Sequence, residues 1–343
     1  MSGVSLKKRF PWKDQKEGFQ DAINYLKGRM EGRIRSVRTP WPKFNDATVD
    51  GLEWNTINVI AGRPGAGKTL VKDQIIREAF NLNPDETFRV LEFQLEMLAR
   101  TSAIRQFSSV INKTYKYLCS ADGKLSIEDL KTCHSYAKDI VGMPVDTVEV
   151  APTVDEFEQI VDEYMETYHY MADVPGENNT MVPKKFYRKT IITLDHSILL
   201  KKAANEKDKT ETLHHLGERL TKLKKKYPII FIILSQLNRN IDNPERNEDG
   251  KYGNYILESD IFGGDALLQH ADVVIGLNRP GKQKIRFYGP DRYIITDDKV
   301  LVMHFIKCRN GDNRMSFFEA QFEKMKIAEM ETPPCQEKRL TTR

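Results

Sequence analysis

Gly62-Arg63-Pro64-Gly65-Ala66-Gly67-Lys68-Thr69 places two glycines, a lysine and a hydroxyl at the spacing G-x-x-x-x-G-K-[ST]. Glycines there let the backbone turn its N–H groups inward around phosphates. The lysine reaches the β and γ phosphates, and the Thr69 hydroxyl can ligate Mg2+. All eight residues are therefore candidate nucleotide-binding positions, with ATP and Mg2+ the expected cofactors. A glycine turn with a chance lysine would read the same out of context. Here an apolar run over 57–60 precedes it and a helical pattern over 70–82 follows, which is the setting the chemistry needs.

Three further residues could complete a hydrolytic site. Asp195 follows the strand-like run 190–194, and an acidic residue at the carboxyl end of a strand beside a phosphate loop can hold the Mg2+ shell. Capping a turn is its plainer use. Glu96 follows a strand pattern over 88–95 and is placed to activate water; Glu92, the competing carboxylate, lies mid-strand and reads as structural. Gln236 ends the apolar run that starts at Ile229, where an amide could sense the γ-phosphate, or could simply face solvent in a turn.

The elements that must position these groups alternate. Strand patterns are expected at 57–60, 88–95, 147–150, 190–194, 229–234, 272–275 and 300–306. Helices are expected at 70–82, 99–117, 127–140, 154–168 and 211–225. Such alternation predicts an α/β fold with a mostly parallel central sheet flanked by helices. Phe19, Ile23, Leu26 and Met30 recur at spacings of three and four, giving a helix with one apolar stripe that must fold back or dock on a neighbour. Thr39-Pro40-Trp41-Pro42 ends it. The polar stretch 173–185 reads as a surface loop. The expected organisation is a basic tail, helix and linker over 1–44, a catalytic motor domain over 45–325, and a polar tail over 326–343 that is disordered from Glu331 on.

Composition sets outer limits. The chain has 343 residues, 40% of them hydrophobic, enough for one large core. With 30% charged residues but a net charge of only +4, binding nucleic acid through bulk charge is disfavoured; local, reversible phosphate contacts remain open. Cys119, Cys133, Cys308 and Cys335 form no CxxC or metal-like spacing and read as reduced thiols of a cytoplasmic protein. No apolar stretch is long enough to span a bilayer, and Leu6-Lys7-Lys8-Arg9 is not followed by an apolar signal core.

Taken in order, Gly62 to Thr69, Phe93-Gln94-Leu95-Glu96-Met97, Ser235-Gln236-Leu237-Asn238-Arg239 and Lys307-Cys308-Arg309-Asn310-Gly311 resemble the RecA-fold motor domain of DnaB-like replicative helicases. Leu194-Asp195-His196 is similar to the Walker B segment of the phage primase-helicase branch. The resemblance covers 44–322. It implies a RecA-like P-loop NTPase, assembled as a hexameric ring, that hydrolyses ATP between subunits and moves along single-stranded DNA. It also implies the roles: Lys68 and Thr69 on nucleotide and Mg2+, Asp195 assisting the metal, Glu96 as general base, Gln236 as sensor, and Arg309 with Lys307 reaching the neighbouring subunit's ATP. The apolar stripe becomes a linker helix docked on the adjacent motor. Primase or a helicase loader would be further partners.

There are departures. The forty residues before the motor are too few for the family's N-terminal domain or a fused primase. Where relatives carry Arg-Glu-Ser-Gly in a DNA-facing loop, this chain has Asp260-Ile261-Phe262-Gly263-Gly264-Asp265. The N–H groups of Gly263 and Gly264 could hold a phosphate, with Arg239, Arg246 or Lys251 supplying charge; a plain glycine turn is the alternative. A RecA- or RadA-type recombination ATPase and a helicase-derived scaffold or loader that binds ATP without unwinding are the competing functions. No RadA-like Cys-x-x-Cys zinc module is present.

Overall fold

β1 (Thr56–Gly62) is buried along its whole length, so it must be covered on both faces, and it is. The structure is a computed structural model; it describes residues 14–175, 180–238, 241, 243, 246 and 254–337, apart from the side chains at 264–265. Residues up to Ser36 and residues from Val37 onward form two separate units.

In the first unit, α1 (Gln15–Met30) starts with a capping box, Asp14 accepting from Glu17 N–H while Glu17 accepts from the Asp14 backbone. Its expected stripe is present and bare: Phe19, Ile23, Leu26 and Met30 are all exposed.

The second unit opens with α2 (Pro42–Ala47), Pro42 fitting the first turn where no N–H partner is needed. After β1 come α3 (Lys68–Leu82), β2 (Phe88–Gln94), α4 (Ala99–Val110), α5 (Tyr115–Leu118), α6 (Ile127–Val141), β3 (Val145–Val148) and α7 (Val154–Thr167). Then follow β4 (Tyr170–Pro175), β5 (Met181–Phe186), β6 (Lys189–Asp195), α8 (Lys209–Lys226), β7 (Ile229–Gln236) and β8 (Val273–Asn278). β9 (Phe287–Tyr288), β10 (Tyr293–Ile294), β11 (Val300–Cys308), β12 (Met315–Gln321) and β13 (Lys326–Glu329) complete it. Among the described residues the main sheet has nine strands in the order β13-β12-β11-β8-β1-β7-β6-β2-β3. From β8 to β3 neighbours run parallel; β11, β12 and β13 pair antiparallel beyond them.

Two apolar layers sandwich the sheet. Val59, Phe93, Leu194 and Phe231 face one layer with Phe157 of α7 and Leu216 and Leu220 of α8. Ile60, Val90, Ile232 and Leu234 face the other with Val71 and Ile75 of α3. A fully buried side chain of this kind contributes about 1.5–3 kcal/mol relative to exposure, so the sheet's place between the helix layers and its register are held by its apolar residues.

Several expectations need correction. The helix expected over 99–117 is broken, because Asn112 takes a left-handed φ of 56° between α4 and α5. Within the stretch expected as a loop, 173–175 and 181–185 are strand: β4 and β5 pair antiparallel. The third strand comes earlier than expected, at Val145–Val148. The core also claims residues on both sides of 45–325. Trp41 and Phe44 are buried against Phe318 and Phe305, and β13 is a strand of the main sheet. Beyond it, Ile294 N–H donates to Cys335 O and Gln336 bridges Tyr293, so part of the polar tail is ordered.

Candidate nucleotide site and the groups around it

The phosphate loop leaves the carboxyl end of β1, and the two glycines that make its turn have φ of 74° (Gly65) and 100° (Gly67). Only glycine adopts those angles without cost. Space is tight as well: a Cβ on Gly67 would sit 2.9 Å from the Phe322 ring, and one on Gly65 2.9 Å from Lys282 Nζ. Gly67 then caps α3, so Lys68 and Thr69 open that helix with its free N–H groups. Lys68 Nζ donates to Gly62 O at 2.8 Å and Arg63 O at 3.2 Å. Burial pushes its pKa below the usual lysine value, with Asp195 and Glu96 pulling the other way. An ammonium placed so is poised for a phosphate that would complete its neutralisation.

Parallel pairing brings the other predicted groups to the same end of the sheet. Gln94 and Asp195 are register partners on β2 and β6, and Gly62 and Gln236 on β1 and β7. Asp195 is buried; Glu96, two residues past β2, is exposed. Mg2+ is usually held by one or two carboxylates together with substrate phosphates, and Thr69 with Asp195 is a donor set of that size. Around it, Gln94 Oε1, Thr193 Oγ1, Ser197 Oγ and Ser235 Oγ are buried without a hydrogen-bond partner among the described residues. Unsatisfied polar atoms at this density fit a site whose remaining partners arrive with nucleotide and its water.

Sequence reading gave no role to His196, although it adjoins Asp195. Its Nε2 lies 3.3 Å from Gln236 Nε2 and 3.8 Å from Glu96 Oε2, linking the sensor and the carboxylate. Burial lowers its pKa, outweighing the pull of Glu96 and Asp195. A neutral imidazole is what the site holds at neutral pH. Arg279 and Phe322 were also missed, since nothing local marks them. The Arg279 guanidinium lies 3.7 Å over the Phe322 ring and donates to Gly65 O at 3.3 Å. A flat cation and a ring touching the loop form a surface suited to stacking a base.

Glu92 is structural, as its mid-strand position predicts. It is buried beside Lys72, one turn after Lys68, at 2.9 Å, and Asp73 takes the same ammonium at 2.8 Å. Although burial opposes it, the two carboxylates hold Lys72 above the usual lysine pKa.

Arg309 and Lys307 are elsewhere. Arg309 N–H donates to Asp272 O, its guanidinium meets Asp272 Oδ1 at 3.3 Å, and Asp272 N–H in turn donates to Ile57 O. That is the amino-terminal end of β1. From Ile57 to Gly62 the strand rises about 3.3 Å per residue, so some 16 Å of sheet separates Arg309 from its own phosphate loop. Lys307 Nζ donates to Leu268 O at 2.6 Å.

The candidate DNA contacts divide. Arg239 and Lys251 lie outside the described residues. Arg246 is corrected: it grips Asp260 with both guanidinium nitrogens, at 2.5 and 2.8 Å, and donates to Tyr255 O, so its charge is spent inside the fold. Gly263 has a φ of 63° and packs so closely on Leu213 that a Cβ would lie 2.7 Å from it; with Gly264 it leads into the short helix Gly264–Leu268. That turn is tied to the sensor. Phe262 N–H donates to Gln236 O and Asn238 N–H to Asp260 O. Among the described residues no cluster of three His, Cys, Asp or Glu side chains could hold a further metal, and no helix is long and apolar enough to cross a membrane.

A phosphate loop on the middle of a mostly parallel sheet, with acidic and amide groups at the neighbouring strand ends, defines a P-loop protein with a RecA-like core. The chain belongs to the DnaB-like helicase C-terminal domain family, which matches residues 37–327. The fold is shared with the ATPase domain of G40P (TM-score 0.72, 17% identity, covering 93% of this chain and 100% of that one). It is shared too with a DnaB-like replicative helicase studied for its interactions with primase (TM-score 0.71, 16% identity, covering 94% and 68%). A DNA helicase/primase of Enterobacteria phage T3 is 27% identical over 120 residues; these span 33% of this chain but only 20% of the phage protein.

Proposed function

We propose that the protein is an ATP-dependent replicative DNA helicase, a hexameric ring that cleaves ATP at the seams between subunits while translocating on single-stranded DNA. The observation that carries this reading is the split of the machinery across one sheet. Lys68, Thr69, Asp195, Glu96 and Gln236 gather at the carboxyl end, whereas Arg309 and Lys307 stand at the amino end, too far to serve the same nucleotide. A guanidinium that cannot reach its own ATP serves a neighbour's, where it stabilises γ-phosphate charge only in the assembled ring.

Within one subunit, Lys68 and the loop N–H groups bind the phosphates, and Thr69 and Asp195 hold Mg2+, which supplies charge neutralisation when bound. Glu96 takes the proton of the attacking water, with His196 and Gln236 orienting it. Loss of the γ-phosphate reaches the glycine turn through the Gln236–Phe262 backbone hydrogen bond. The exposed stripe of α1 serves to dock on an adjacent motor, and a primase or loader is the expected protein partner. The four free cysteines fit a reducing, cytoplasmic setting.

Two measurements test this. Purified protein with a non-hydrolysable ATP analogue should show six-fold rings in electron micrographs, and with ATP it should separate a forked duplex. Filaments, or DNA-stimulated hydrolysis without strand separation, would favour the recombination-type or scaffold readings instead. Lys68→Ala should abolish hydrolysis by removing the phosphate clamp.

A further inference from the structure

The β4–β5 hairpin stands apart from the main sheet, inserted between α7 and the amino end of β6. Its register pairs Tyr170 with Phe186, Ala172 with Lys184 and Val174 with Val182, so these six share one face. On that face the Tyr170 and Phe186 rings stack, centroids 5.6 Å apart and planes 23° from parallel. Arg188 lies 5.1 Å over the Tyr170 ring and Lys184 5.6 Å over Phe186. Tyr170 and Val182 are exposed, at 41% and 46%.

The opposite face also meets solvent, with Met171 and Met181 exposed, but its cation is paired. Lys185 and the Tyr187 hydroxyl both hold Glu166 in the last turn of α7, and Lys189 pairs with Glu86. Among the described residues, Lys184 and Arg188 meet no carboxylate. Lys185 and Lys189 are thus neutralised, whereas the two cations beside the stacked rings are not. Rings alone would suit any apolar partner; rings flanked by unopposed cations suit flat groups joined by anions. Unpaired bases on a phosphate backbone have that chemistry, whereas a duplex keeps its base faces stacked inside.

We propose that this face is a binding site for single-stranded nucleic acid, with two bases stacked on Tyr170 and Phe186 and the flanking phosphates held by Lys184 and Arg188. A cation lying over an exposed ring is held only by solvent-screened attraction and swings aside for a base. The site is separate from the motor's own loops. The length of β6, about 3.3 Å per residue, sets it some 20 Å from Asp195, at the other end of the sheet. It does not depend on whether the chain unwinds DNA.

The test is photocross-linking of the full chain to oligo(dT) carrying 5-iodouracil, mapped by mass spectrometry. Cross-links at Tyr170 or Phe186 are expected. They should vanish in Tyr170→Ala/Phe186→Ala, with affinity for the oligonucleotide falling about ten-fold or more. Lys184→Glu/Arg188→Glu leaves the rings in place and should weaken binding while flattening its salt dependence; it keeps the test valid if the ring variant misfolds. Cross-links found only elsewhere would overturn the proposal. So would displacement from the hairpin by polyglutamate as effective as by unlabelled oligo(dT), which would make the face a general acidic-partner surface. A failure of the helicase reading registers separately, as absence of DNA-stimulated ATP hydrolysis.

Discussion

Gly62 and Gln236 are register partners on adjacent parallel strands, so the first residue of the phosphate loop and the last of β7 share one rigid edge of sheet. The Gln236 amide touches His196 and its carbonyl accepts from Phe262. Gln236→Ala keeps the backbone link and removes the amide. It should leave nucleotide affinity near wild type and lower kcat by about 10²-fold, the size expected for losing one donor that acts on transition-state charge. Fluorescent-nucleotide binding and steady-state turnover separate the two; an equal loss in both would mean that Gln236 only supports the loop.

His196 should make turnover pH-dependent. Burial depresses its pKa below the ordinary histidine value of about 6.5. The folded state therefore takes up its proton later than the unfolded chain. Stability linked to this group is full above about 6.5 and is lost as pH falls through the folded pKa. On protonation the imidazolium would pair with Glu96, 3.8 Å away, and blunt it as a base. The pH profile of kcat/KM should show an acid limb below the usual histidine range that His196→Gln shifts or removes. An unchanged limb would exclude His196 as its source.

Lys72 is the one cation between two carboxylates in a side-chain cluster where it is 1% exposed. Lys72→Met would strand Asp73 and Glu92 together without a counter-charge, and removing one member of a buried ion pair costs about 3–5 kcal/mol. Glu92→Gln should cost less, because Asp73 still neutralises the ammonium. Urea denaturation monitored by circular dichroism orders the variants; equal midpoints for Lys72→Met and wild type would show that the cluster is not held by charge.

Much of this was legible in the sequence because it is locally written. The phosphate loop, the strands ending at Asp195 and Gln236, and the structural role of Glu92 follow from short runs of residue type and position. What was hidden depends on distant partners. Arg246 looked available for DNA because nothing nearby in sequence reveals its grip on Asp260. Residues 173–185 looked like loop because both hairpin faces are largely exposed, leaving no apolar alternation to mark strands. Trp41 looked like linker, yet its ring packs on Phe318 and its Nε1–H donates to Ile327 O at 3.3 Å. Arg279 and Phe322, far apart in sequence, meet only through the fold.

Arg309 stands at the end of the sheet opposite its own phosphate loop, held there by Asp272. If it serves a neighbour, Arg309→Ala should spare nucleotide binding and cut turnover about 10³-fold or more, as removal of an arginine finger does. Glu96→Gln should be comparably slow for a different reason, losing the base within its own subunit. Mixing the two inactive proteins then discriminates. Where an Arg309→Ala subunit supplies the loop and Glu96, and a Glu96→Gln neighbour supplies Arg309, one complete site re-forms at their seam, so hydrolysis should reappear on mixing. A residue acting in its own subunit could not be rescued this way. Mixtures as inactive as either parent, with mixed assemblies verified by mass photometry or tagged pull-down, would place Arg309 outside the catalytic seam.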